Sequence, residues 1–347
     1  MNILIYSPSF SPAVGGLEVL TETLAGEFVK KGHAVIIICN TPAGPAPEPS
    51  FTFKVFRNIG LWKRIRLMAW CDVYFQPNIS LKGLGPKLLL PYKKWVVSHN
   101  GWYRRDPVWD ASDVMLNEHK KGWQDHLKLF LIRFAKNISV SNAVAKHLPI
   151  NSVVIPNCYN SSTFYRLPEI KKDLDLVFLG RLVSDKGCSV LLKALIRLQS
   201  DQLFPSLSII GTGEEEQKLK EIVRSNNLSA QVEFKGMLKG KALVESLNRH
   251  KIMVVPSLWE EPFGIVALEG MACGCFVVGS AKGGLTEAIG PCGLTFTNGD
   301  SEELYHLLLD ILKGNIILED YTKNIHKHLI KHKPETVAEA YLEAFMN

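Results

Sequence analysis

Pro256-Ser257-Leu258-Trp259-Glu260-Glu261-Pro262-Phe263-Gly264-Ile265-Val266-Ala267-Leu268-Glu269-Gly270-Met271-Ala272-Cys273-Gly274 reads as the end of a strand, a loop and a helix that begins near Phe263. Glu261 then stands at the helix entrance, and Glu269 lies about 12 Å along it at about 1.5 Å rise per residue. Carboxylates that far apart cannot share one proton. They can accept hydrogen bonds from hydroxyls at the two ends of one extended ligand, and a nucleotide sugar is such a ligand. Glu261 at a helix N-terminus also has a purely electrostatic rationale. Glu269 interrupts the apolar run Ile265, Val266, Leu268, Met271, where a buried carboxylate needs partners.

Outward from this stretch, short β-branched runs alternate with amphipathic segments, the rhythm of βαβ units around parallel sheets. Strands are expected at Ile3–Ser7, Val35–Cys39, Phe53–Phe56, Val73–Gln76, Trp95–His99, Ile138–Ser141 and Val153–Pro156. They recur at Leu176–Gly180, Leu207–Gly211, Val232–Gly236, Ile252–Pro256, Phe276–Gly279 and Leu294–Phe296. Leu17, Leu20, Leu24 and Phe28 mark a helix from about Leu17 to Lys31, closed by Gly32. The aperiodic stretch near Ile155 to Lys171 marks a boundary. The reading is α/β, with an N-terminal Rossmann-like domain over 1–165 and a second over 166–330. A final helix in 331–347 is expected to pack back on the first domain, and the two sheets to face a central cleft.

Composition narrows the classes. The 347 residues, 46% hydrophobic and 21% charged, are those of a globular chain rather than a disordered or fibrous one. No apolar run approaches the roughly 18 to 20 residues of a membrane-spanning helix, and Met1 to Tyr6 lacks the basic start of a signal peptide. Seven cysteines without a Cys-x-x-Cys pair argue against a zinc site or a secreted disulfide framework. A cytoplasmic protein is expected. Residues 1–165 carry 19 Lys+Arg against 10 Asp+Glu, and the remainder 21 against 24, so an anionic partner is expected to meet the first half. Lys63, Arg64 and Arg66 among Leu61, Trp62, Ile65, Leu67 and Trp70 suit either a segment lying on a membrane surface or a surface helix with a solvated basic face. No nucleic-acid-binding signature accompanies the charge.

Two turns have the chemistry to approach phosphate. Leu179-Gly180-Arg181-Leu182-Val183-Ser184-Asp185-Lys186-Gly187 leaves a strand and opens a helix, and Arg181 and Lys186 add two cations to its backbone N–H groups. Ser11-Pro12-Ala13-Val14-Gly15-Gly16 holds a double Gly at a strand-to-helix turn, suited either to close backbone approach or to positive φ. Gly211-Thr212-Gly213 lacks the third Gly of the dinucleotide fingerprint, where Glu216 stands, which disfavours a nicotinamide cofactor.

These motifs together resemble the retaining glycosyltransferases of family 4, which have the two-domain GT-B fold. The resemblance rests on Glu261-x7-Glu269, Gly180-Arg181-Leu182 with Lys186-Gly187, Gly211-Thr212-Gly213 and Gly283-Gly284 with Glu287. In the first half it rests more loosely on Pro12 with Gly15-Gly16, His99, Val140-Ser141-Asn142 and Ile155-Pro156-Asn157. Gly270 and Cys275-Phe276 depart from the family pattern in what look like packing positions.

The resemblance implies that Glu261 faces donor-sugar hydroxyls and Glu269 the ribose, with Arg181 and Lys186 on the diphosphate. Phe263, Gly264 and Ile265 would contact sugar and phosphate through their backbone, Gly15 and Gly16 would approach the phosphates, and His99 would sit near the reacting carbon. His99, Glu261, Arg181 and Lys186 form the expected catalytic set. No cofactor or metal is expected, and no Asp-x-Asp element to hold one, the two cations standing in for it. The implied reaction moves a hexose from a UDP- or GDP-linked donor to a saccharide or lipid-linked acceptor with retention, giving an α-linkage. By residue type rather than by the resemblance, Trp102, Tyr103, Arg104 and Arg105, just after His99, suit either acceptor contacts or a plain aromatic surface loop. The reading also includes peripheral contact with an anionic membrane surface at the inner face. A sugar phosphorylase, a nucleotide-sugar epimerase and a non-catalytic nucleotide-sugar-binding scaffold stay open as alternatives.

Overall fold

Alternation along the strands of the first half sorts their side chains onto two faces of one sheet. Ile3 and Ile5, Val35 and Ile37, Val73 and Phe75, and Val96 point to one core, while Leu4 and Tyr6, Ile36 and Ile38, Tyr74, and Trp95 and Val97 point to another. The computed structural model describes residues 1–13, 15–44, 50–103 and 122–347. Its seven strands are β1 (Asn2–Tyr6), β2 (Ala34–Cys39), β3 (Lys54–Arg57), β4 (Val73–Gln76), β5 (Lys94–His99), β6 (Lys136–Ser139) and β7 (Val153–Val154), all parallel in the order β3-β2-β1-β4-β5-β6-β7.

One face is covered by the helix Gly16–Lys30 and by the last helix, Pro334–Met346. Phe345 packs edge-on against Phe28, and the Tyr341 hydroxyl lies 2.9 Å from the Ser98 hydroxyl. The other face is covered by Leu61–Trp70, Gly85–Leu89 and Trp123–Leu131.

The second unit repeats the plan. Strands β8 (Leu174–Leu179), β9 (Leu207–Ile210), β10 (Val232–Gly236), β11 (His250–Val255), β12 (Phe276–Ser280) and β13 (Gly293–Phe296) are parallel in the order β10-β9-β8-β11-β12-β13. Counted within each unit, both sheets contain the Rossmann order 3-2-1-4-5-6, to which the first adds a seventh strand, and the order reverses between the first and fourth strands. Among the described residues, one unit comprises those up to Cys158 together with His332–Asn347, and the other Tyr159–Lys331, so the break comes seven residues before the expected 165. Tyr159 to Tyr165 precede β8, and the Tyr165 carbonyl accepts a hydrogen bond from Asn248 of the second unit. Among the described residues no helix is long and apolar enough to cross a membrane.

Candidate active site

The carboxyl ends of β8 and β11 flank the point where strand order reverses in the second sheet, the position at which open α/β sheets bind ligands. The loop after β8 is strapped to the loop after β11. The Asp185 carbonyl accepts the N–H groups of Leu258 and Trp259 at 3.0 and 3.1 Å. Gly187 has φ +64°, and a Cβ there would stand 2.0 Å from the Pro256 carbonyl oxygen, so only glycine lets the two loops meet. This approach places the Lys186 ammonium 2.6 Å from Glu261 Oε1, which also accepts the Ser257 hydroxyl at 2.8 Å. Lys186 spends one of three N–H donors on this pair, and the second oxygen of Glu261 keeps its acceptor capacity. Arg181 is exposed and makes no hydrogen bond or ion pair among the described residues. Gly211-Thr212-Gly213 is a support for that loop: a Cβ on Gly211 or Gly213 would strike the carbonyl of Gly180 or Leu182, and Leu182 donates to the Thr212 carbonyl at 3.0 Å.

Glu261 does not stand on a helix. It forms an isolated bridge with Gly283, and its carbonyl accepts the Gly284 N–H at 2.7 Å. The helix runs over Ile265–Ala272, two residues later than expected, because its cap, Gly264, has φ +96°. The helical rise therefore does not measure the separation of Glu261 and Glu269. Glu269 lies in that helix, half-buried, and its carboxylate makes no hydrogen bond or ion pair among the described residues. Desolvation pushes its carboxyl up to about 7. The departures from the family pattern are packing, as expected. A Cβ on Gly270 would come 2.5 Å from Met253 Sδ, and Cys275 and Phe276 are fully buried.

An Asp-x-Asp element does occur, as Asp173-Leu174-Asp175, which corrects the expectation that none is present. It lies at the opposite edge, where β8 begins. Asp173 is paired with Arg249 at 2.6 Å and Asp175 with Lys251 at 2.8 Å. Among the described residues no three His, Cys, Asp or Glu side chains cluster as metal ligands.

In the first unit, His99 closes β5 and is fully buried. Its Nε2 is 2.9 Å from Asn137 Oδ1, and Asn137 donates both its N–H groups to the carbonyls of Ile132 and Ala135. Asn137 Oδ1 is thus the acceptor, so His99 carries its proton on Nε2. Nδ1 then accepts from the Tyr103 hydroxyl at 2.5 Å. Burial holds the imidazole down at about 4, against the hydrogen bond to Asn137, and holds the Tyr103 phenol above its ordinary value. Trp102 meets the His147 ring edge-on at 4.7 Å, while Arg104 and Arg105 lie outside the described residues. Gly15 and Gly16 have no positive φ, and a Cβ on Gly16 meets nothing within 4 Å, so neither conformation nor packing calls for glycine at Gly16. Sequence reading missed Ser257 and Asn137, whose roles arise only from the pairing of loops and strands distant in sequence.

Residues 162–328 match the family model of glycosyl transferases group 1. The chain is 36% identical over 335 residues to the glycogen synthase of Mycobacterium tuberculosis, covering 83% of this chain and 80% of that one. It is 32% identical over 144 residues to a GDP-mannose-dependent phosphatidylinositol monomannoside mannosyltransferase of Corynebacterium glutamicum, spanning 40% of this chain but 37% of that relative. Among solved structures, Anabaena HepE in complex with UDP superposes with a TM-score of 0.78 at 17% identity, over 100% of both chains. The two parallel sheets and this superposition define a GT-B fold. With the glycogen synthase match, they show that the chain belongs to the glycosyl transferases of group 1.

Proposed function

We propose that the protein is a retaining hexosyltransferase of family 4. It takes a hexose from a UDP- or GDP-linked donor and passes it to a hydroxyl of a saccharide or lipid-linked acceptor, forming an α-linkage without a metal. The observation that carries the reading is the carboxyl edge of the second sheet, where Glu269, desolvated and without a partner among the described residues, shares one switch point with Arg181 and the Lys186–Glu261 pair. Glu269 gains hydroxyl donors when a ribose occupies the site, and Glu261 offers its second oxygen to the sugar. HepE binding UDP and the mannosyltransferase using GDP-mannose both support a nucleoside diphosphate donor and leave the base to experiment.

In this reaction the bond between C1 and the diphosphate oxygen breaks, and the acceptor oxygen bonds to C1 on the same face. Negative charge grows on the leaving diphosphate, where Lys186 and Arg181 stabilise it more than they do the ground state. The acceptor proton passes to the departing phosphate oxygen. His99 has both ring nitrogens committed, so it serves as the neutral partner that orients Tyr103, and the acceptor is assigned to the first unit.

Incubation with UDP- and GDP-hexoses in the presence of a chelator tests the reading. Release of nucleoside diphosphate with an α-configured product is expected. Sugar 1-phosphate formed from inorganic phosphate without nucleotide would instead establish a phosphorylase.

A further inference from the structure

The face of the first sheet covered by Leu61–Trp70, Gly85–Leu89 and Trp123–Leu131 has an unusual outer surface. Surface helices ordinarily turn their apolar stripe inward. In the last of these segments Leu129 and Ile132 already fill the core, yet Trp123, Leu127, Phe130 and Phe134, spaced four, three and four residues apart, all face outward. Phe130 and Phe134 contact each other edge-on at 5.7 Å. On the helix Leu61–Trp70, Trp62 is 82% exposed, and Leu88 and Leu89 are exposed on the helix packed beside it. Most of the first unit's exposed large apolar side chains, among the described residues, belong to these three segments or their immediate ends, whereas in the second unit Tyr165, Phe204, Met237, Ile317 and Ile330 are scattered. A clustered apolar surface of this kind marks a contact site.

The charge identifies what it contacts. Lys63, Arg66, Lys82 and Arg133 are exposed among these apolar groups, and the only acidic residues within 61–94 and 122–134 are Asp72 and Asp125. Asp72 is turned to the Asn2 backbone, and Asp125 caps its own helix. A second copy of the chain meeting this face isologously would set cations against cations. Trp, Phe and Leu interleaved with cations match the boundary between acyl chains and anionic headgroups.

We propose that this face of the first unit docks on an anionic lipid bilayer, with Trp62, Trp123 and Phe134 entering the headgroup boundary and Lys63, Arg66, Lys82 and Arg133 meeting lipid phosphates. The proposal is independent of the transferase reading.

Sedimentation of the full chain with vesicles of phosphatidylcholine, with and without phosphatidylglycerol, tests it. The protein should partition to the anionic vesicles, and salt should weaken the binding. Trp62→Ser with Phe134→Ser should lower the partition coefficient roughly tenfold or more. Lys63→Glu with Arg66→Glu should lower it about fivefold or more for each charge reversed, and Phe204→Ser on the second unit should leave it unchanged. Circular dichroism verifies folding, and the charge variant decides the matter if the apolar one misfolds, since both cations are exposed. Three results would overturn the proposal: no vesicle binding, equal binding to neutral vesicles, or self-association that Trp62→Ser abolishes in a chain that ignores vesicles.

Discussion

Two sheets with one strand order end in different chemistry. At the carboxyl edge of the second, Lys186 and Glu261 form a pair with hydrogen-bonding capacity to spare, and among the described residues Arg181 is unpaired and the desolvated Glu269 has no partner. At the carboxyl edge of the first, His99 is sealed between Asn137 and Tyr103 with no free lone pair. Repetition of a scaffold therefore does not repeat a site. The second unit leaves charged groups unsatisfied, as a ligand requires, while the first satisfies its polar group internally and carries its unsatisfied surface on an outer face.

The sharpest way to break this contrast is at the cations. Lys186→Ala and Arg181→Ala should each lower kcat on the order of 10²-fold or more, because both act on the charge that develops in the transition state. Circular dichroism should report an unchanged fold, and near wild-type turnover in the folded double variant would remove the assignment.

A second test concerns the desolvated carboxyl. Unfolded, Glu269 loses its proton near 4.5, whereas in the fold it keeps it to about 7. The native state therefore binds more protons between those values, and stability should fall as pH rises through that window, by at most about 1.4 kcal/mol per pH unit. Thermal unfolding of Glu269→Gln against wild type across this range should show the slope removed in the variant.

His99 should behave in the opposite sense. Its imidazole is held at about 4, so the unfolded chain takes up the proton first and stability should decline as pH falls from about 6.5 toward 4. Asn137→Ala leaves the Nε2–H buried without its acceptor, at about 1–3 kcal/mol in denaturant unfolding. A pH–rate profile with no His99 limb between neutral pH and about 5 is the smallest signal, and a limb there would contradict the sealed geometry.

The strands were legible because each is a short β-branched run between turns: all 13 fall where the residues place them, within a residue or two at each end. The last helix was legible from Pro334 to Met346. The pair Lys186–Glu261 was legible only as two separate residues, since their meeting depends on β8 lying beside β11 and on Gly187 admitting the Pro256 carbonyl. The sealing of His99 depends likewise on β5 pairing with β6, which carries Asn137. Trp123, Phe130 and Phe134 have the spacing of a buried stripe, and only the fold shows that Leu129 and Ile132 had taken that role. Asp173-Leu174-Asp175 was readable as a motif, but its place at the wrong edge of the sheet was not.

The most direct test of the central claim is calorimetric titration of UDP, GDP and ADP into wild type and Glu269→Ala. One nucleotide should bind, and loss of the carboxylate should weaken it roughly tenfold to a hundredfold, as expected for hydrogen bonds to a charged acceptor. If none of the three binds, or if the variant binds as tightly as wild type, the carboxyl edge of the second sheet is not the donor site.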